Sequence, residues 1–100
     1  MTELILDGSK MSSEEDFHDQ IAAHPETPDF YGRNLDALHD LLTGFFSSPV
    51  LIIWRNADLA QNALGKRYSL ILDVMGDAEE DWHMAGGELG VELHMSTDNE

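Results

Sequence analysis

An α/β domain with a three-stranded parallel sheet is the fold class the sequence predicts, its elements in the order β-α-α-β-α-α-β. Three observations predict it. Apolar runs typical of strands stand at Leu4-Ile5-Leu6, at Val50-Leu51-Ile52-Ile53-Trp54, and in the alternation Val91, Leu93, Met95. Between them lie stretches whose apolar residues recur at helical spacing, long enough to act as crossovers, so the strands are expected parallel and their connections right-handed. The chain has 100 residues, and Leu, Ile, Val and Phe supply 25 of them, above the roughly 20% below which a highly charged chain stays unfolded. No internal repeat and no linker-like tract interrupts it, so a single domain over residues 1–96 is expected, with 97–100 as a frayed tail.

Each element has its own signals. Leu4 to Leu6, closed by Asp7-Gly8, reads as the first strand. Ser12 and Glu15 have capping-box spacing, and Phe17, Ile21 and Ala22 continue at helical intervals until His24-Pro25, which predicts helix one over roughly 13–23. Pro25 and Pro28 bracket a loop into Phe30-Tyr31-Gly32, and Asn34 can then cap a second helix, roughly 35–43, ending before Gly44. Val50 to Trp54 lacks alternation and reads as a central strand buried on both sides. Residues 58–64 allow a two-turn helix. Tyr68, Ile71, Met75, Ala78 and Trp82 repeat at helical spacing and predict a long helix over roughly 66–81. Gly86-Gly87 makes a turn into a half-exposed edge strand at Val91–Met95.

Composition narrows the function. Twenty Asp and Glu against five Lys and Arg give a formal charge of −15, which sets nucleic acid and anionic membranes aside as partners and favours a basic one. The absence of cysteine removes disulfides, thiolate nucleophiles and Cys-rich zinc sites, and fits a reducing compartment. The first residues carry no basic segment before their apolar run, and the longest strongly apolar run is five residues where a membrane span needs about 20. A soluble, cytoplasmic protein is expected.

Phosphate-loop, dinucleotide and nucleophile-elbow motifs are absent from the sequence. Asp36, His39 and Asp40 stand at i, i+3 and i+4 and share one side of helix two, a set that can offer three ligands to a divalent cation. No HExxH, EF-hand loop or second histidine accompanies them, so no metal or cofactor is expected, and a small metal-assisted hydrolase is the runner-up reading. Leu35, Leu38, Leu41 and Leu42 fall on one arc of that helix and read as core; Asp36, His39, Asp40 and Thr43 fall on the other. A merely solvated face is the default for such an arc. Residues 73–81 of the long helix hold five acids and no base, a second acidic face; solubility explains it as well as steering of a cationic partner does.

The segment Phe30-Tyr31-Gly32-Arg33-Asn34-Leu35-Asp36-Ala37-Leu38-His39-Asp40-Leu41-Leu42-Thr43-Gly44, followed by Pro49-Val50-Leu51-Ile52-Ile53-Trp54-Arg55, closely resembles the barstar family of intracellular inhibitors of the ribonuclease barnase. The motif keeps its spacing without a gap, covers about a quarter of the chain, and the remaining elements agree in order over residues 3–95. The resemblance implies a two-layer barstar-like α/β domain whose second helix and preceding loop plug the active site of a small basic ribonuclease in a one-to-one complex. It does no chemistry itself: a carboxylate on a rigid helix takes the place of an RNA phosphate. Carried over by position, Asp40 is the main phosphate mimic, Asp36 a second acidic contact, and Thr43 with Gly44 the helix-end contact. Tyr31, Gly32 and Asn34 belong to the same binding segment. Phe30 replaces a tyrosine, His39 and Phe45 replace tryptophans, and Arg33 replaces an acid, which argues for a target surface different from that of barnase. Asp77 aligns with a peripheral acidic contact on the long helix. His39, if it lies between Asp36 and Asp40, makes binding depend on pH near neutrality. An acidic module that mimics nucleic acid toward a non-nuclease protein is the remaining alternative.

Overall fold

A computed structural model describes residues 1–99, with side chains to Thr97. Three parallel strands form one sheet in the order β1-β2-β3: β1 is Thr2–Asp7, β2 is Val50–Arg55 and β3 is Leu89–His94. Between β1 and β2 lie a 3-10 turn, Gly8–Lys10, then α1, Glu14–Ala22, and α2, Leu35–Asp40, which runs on into a π-helical turn, Leu41–Phe45. Between β2 and β3 lie α3, Ala57–Leu64, and α4, Lys66–Met84. The expected element order and α/β class hold.

The strand register pairs Leu4 with Ile52 and Ile52 with Val91, so alternate residues of all three strands share a face. On the inner face Leu4, Leu6, Val50, Ile52, Trp54 and Leu89 are buried against Phe17 and Ile21 of α1, Leu38 of α2, and Tyr68, Ile71 and Met75 of α4. Trp54 is the hinge of this layer, its ring 5.4 Å from that of Phe17 and 5.1 Å from that of Tyr68. The opposite face is uncovered: Ile5 is 49% exposed, Arg55, Glu92 and His94 are exposed, and Leu51 and Ile53 are half-buried. The unbroken apolar run of β2 predicted burial on both sides. Burial is complete on one side only: Leu51 and Ile53, flanked by β1 and β3, are half-buried.

Several boundaries differ from expectation. The cap of α1 is Ser13, and Asp16 accepts the N–H and O–H of Ser12, at 2.8 and 2.7 Å, in place of a Ser12–Glu15 box. Those bonds hold the Asp16 carboxyl below its ordinary pKa. Helix two does not stop before Gly44. The Thr43 hydroxyl donates to the His39 carbonyl at 2.8 Å, and Phe46 N–H reaches back five residues to Leu41, widening the last turn into a π-turn. The long helix continues to Met84. β3 starts two residues early, at Leu89, because Glu88 N–H is already held by Ser48 Oγ and the Glu88 carbonyl by Val50 N–H. Burial then fades along β3, Leu93 being exposed, as befits an edge. Where a frayed tail was expected, Ser96–Asn99 form a 3-10 turn, and Asp58 accepts both the N–H and O–H of Ser96; Glu100 lies outside the described residues. No helix among the described residues is long and apolar enough to cross a membrane.

Candidate functional site

The loop before α2 and the helix itself build one surface. Asn34 adopts an extended backbone and its Oδ1 accepts the Ala37 N–H at 2.8 Å, so it caps α2 as the sequence predicts; its Nδ2 donates to the Gly32 carbonyl at 3.3 Å. Leu38, Leu41 and Leu42 are driven into the core, and burying them fixes which arc is left outside. That arc presents Asp36 and Asp40, both exposed. The helix is locked axially by α4: the Trp82 indole donates to the Leu42 carbonyl at 2.6 Å, and Gly87 leaves room for the ring where a Cβ would clash with it.

Five of the predicted binding residues converge. Phe30, Tyr31, Gly32, Asp40 and Phe45, with Leu41 beneath, line a cleft of about 240 Å³. Its walls are aromatic. Phe30 is 74% exposed and Phe45 is 49% exposed, and their rings meet edge to face, centroids 5.6 Å apart at 69°. Exposure of two phenylalanines costs hydrophobic free energy that a bound partner would recover. The Asp40 carboxylate stands at the rim of this apolar slot. Among the described residues, the side chains of Asp36, Asp40 and Asp77 have no hydrogen bond or ion pair. Asp77 lies one turn before Asp81 on the same face of α4, and Asp81 meets α2 through His39, so Asp77 borders the same surface.

The other predicted contacts divide. Gly44 is exposed in the π-turn, has no positive φ, and a Cβ there would meet nothing within 4 Å. The fold therefore has no need of glycine at that point, while a closely approaching partner would. The Thr43 hydroxyl is already engaged by the His39 carbonyl. His39 does not sit between Asp36 and Asp40. Its Nε2 turns to Asp81 Oδ2 on α4 at 2.8 Å. That orientation also separates the three ligands which a metal-assisted reading requires, and among the described residues no group of three His, Asp or Glu gathers closely enough to hold a metal ion. Arg33, at φ 55°, is paired with Asp19 of α1, so the positive charge in the loop is directed toward the body of the domain.

Sequence reasoning missed the support behind the cleft. His18 is 2% exposed and uses both ring nitrogens, Nδ1 with the Tyr31 hydroxyl at 2.7 Å and Nε2 with Glu14 Oε2 at 2.9 Å. Glu14 in turn accepts from Arg67 at the start of α4. The Arg67 and His18 bonds hold the Glu14 carboxyl below its ordinary range, and burial, with the nearby Glu14 charge, pushes the Tyr31 phenol well above its own. A signal was present: His18 stands three residues before Ile21, inside the apolar arc of α1, with an acid at i−4.

With this geometry in view, the comparisons with known proteins are specific. A family model described as "Barstar (barnase inhibitor)" matches residues 1–95. A curated protein of Bacillus subtilis strain 168 that carries the provisional name ribonuclease inhibitor YrdF is 36% identical over 81 residues, 81% of this chain and 89% of the relative. The match spans every strand and helix that positions the cleft, and on that extent the chain belongs to the barstar family.

Proposed function

We propose that the chain is a protein inhibitor of the antitoxin or immunity type, which binds a small basic ribonuclease one-to-one and closes its active site. The observation that carries the reading is the unpaired, exposed carboxylate of Asp40 at the rim of an aromatic cleft on a core-anchored helix. A ribonuclease cleft gathers Arg, Lys and His to hold phosphates, and a fixed carboxylate offers them charge-assisted hydrogen bonds without a substrate to cleave. Pre-organisation matters here. Leu38, Leu41 and Leu42 hold the helix before the partner arrives, so little ordering remains to oppose binding. Asp36 and Asp77 extend the negative surface, and a net charge of −15 draws a cationic partner in from a distance. Membership of the barstar family and the name of the Bacillus relative support the same role.

The test is inhibition of purified basic secreted ribonucleases, barnase included, at equimolar ratio, with Asp40→Ala as the paired control. Inhibition by wild type that Asp40→Ala loses is the expected result. In parallel, both proteins serve as baits against the source cell's secreted protein, where a small basic nuclease held by wild type alone identifies target and site together. Binding of a basic protein without inhibition would instead favour the nucleic-acid-mimic module, and equal inhibition by both variants would remove Asp40 from the mechanism.

A further inference from the structure

The loop that carries Phe30 has one buried anchor. Of residues 28–34, only Tyr31 is buried; Phe30, Gly32, Arg33 and Asn34 are exposed. Within the loop, the Tyr31 N–H bond to the Pro28 carbonyl, 3.1 Å, and the Asn34 bond to the Gly32 carbonyl are local and span only a turn. Among the described residues, apart from the exposed Arg33–Asp19 pair and the Asn34 cap on α2 at the end of the loop, its polar tie to the domain is the Tyr31 hydroxyl on His18.

The chemistry of that tie is directional. An ionised carboxylate only accepts, so in the neutral imidazole the His18 nitrogen facing Glu14, Nε2, carries the hydrogen and Nδ1 is left as the acceptor. The Tyr31 O–H then donates to Nδ1. Arg67 completes the chain by donating to the other oxygen of Glu14. Both ring nitrogens of His18 and both carboxylate oxygens of Glu14 have a partner, and each bond fixes the orientation of the next group. Phe30 and Gly32 flank Tyr31 in the chain, so the angle at which Phe30 meets Phe45 follows from where the Tyr31 ring is held.

We propose that His18, oriented by Glu14, is the positioning residue of the binding cleft: through Tyr31 it sets the Phe30 wall against Phe45 before any partner arrives. Its consequence for affinity rests on the inhibitor reading above; its structural content does not.

The experiment separates the two. Nuclear magnetic resonance on the free protein reads the Phe30–Phe45 inter-ring contact and the hydrogen exchange of the Tyr31 amide in wild type, His18→Gln and Tyr31→Phe. The Ile52 amide in the central strand serves as the control for global stability. Tyr31→Phe keeps the ring and removes only the donor, so it decides the matter if His18→Gln fails to fold. Expected are loss of the inter-ring contact and about tenfold faster exchange at Tyr31, with Ile52 protected as in wild type. An unchanged contact and amide in Tyr31→Phe would overturn the proposal, and so would a loss of protection equal at Tyr31 and Ile52, which marks general destabilisation. Against a ribonuclease that wild type inhibits, the same variants are expected to bind about tenfold more weakly through slower association, since fewer molecules hold the competent loop. If wild type inhibits no ribonuclease, the inhibitor reading fails while the resonance data still decide the role of His18.

Discussion

Leu38 and Asp40 stand two residues apart on α2, and truncating each to alanine is expected to separate folding from binding. Leu38 has no exposed surface and sits among core side chains from the sheet and α4. Leucine-to-alanine changes at such sites cost about 2–5 kcal/mol; enclosure on several sides leaves little room for collapse, which puts Leu38→Ala near 3 kcal/mol. For a domain of 100 residues this is a large part of a total of roughly 5–15 kcal/mol, and it lowers Tm by about 12–24 °C at about 4–8 °C per kcal/mol. Asp40 is exposed and without a side-chain partner among the described residues, so removing its carboxylate changes stability by less than about 0.5 kcal/mol. The sign is expected to be favourable. Asp40 lies inside the continuous helix that α2 and the π-turn form together, where alanine has the higher propensity. Thermal unfolding followed by circular dichroism, together with titration of a ribonuclease that wild type inhibits, reads both quantities. Leu38→Ala melting near wild type, or Asp40→Ala losing more than about 1 kcal/mol of stability, would refute the division of the helix into a core arc and a binding arc.

Two further outcomes are expected. Asp36→Ala and Asp77→Asn are expected to slow association with a basic ribonuclease more at low salt than at high salt, since they remove field more than contact; stopped-flow rates across ionic strength check this. Glu14 has its folded pKa depressed below 4.5 by Arg67 and His18, so its contribution to stability is present above that value and is lost as pH falls through the lower, folded one. Glu14→Gln is therefore expected to flatten the acid limb of unfolding below about pH 4.5, measured by urea titration at stepped pH; an acid limb as steep as that of wild type counts against it.

The fold was legible because its signals repeat over many residues. The period of Tyr68, Ile71, Met75 and Ala78 places α4, and those four residues are the ones it buries. The five residues of the cleft were legible only through a contiguous motif, since nothing in spacing brings Phe30 against Phe45 across fifteen positions. What was not legible depends on partners distant in sequence. His39 faces Asp81, 42 residues away, and that choice is made by the packing of α2 on α4, not by the polar arc on which His39 lies. Likewise the one-sided burial of β2 is decided by which sheet face receives helices, and an apolar run is silent on that point.

The acids of this chain are not one uniform coat, and that distinction bears on function. Asp7, Glu14, Asp16 and Asp58 each accept specific donors, from Ser9 and Asn56, from Arg67 and His18, from Ser12, and from Ser96; all four have depressed pKa values. These carboxylates close turns and pin elements, and their charge is spent inside the fold. Asp36, Asp40 and Asp77 make no such bond among the described residues, yet all three stand on helices anchored in the core, and Asp40 lines the aromatic cleft. Acidity needed for solubility alone could sit anywhere on the surface, and would gain nothing from a neighbouring pair of exposed phenylalanines. A small domain that keeps an unpaired carboxylate and two exposed phenylalanines together leaves free energy that, on the inhibitor reading, a basic partner would recover.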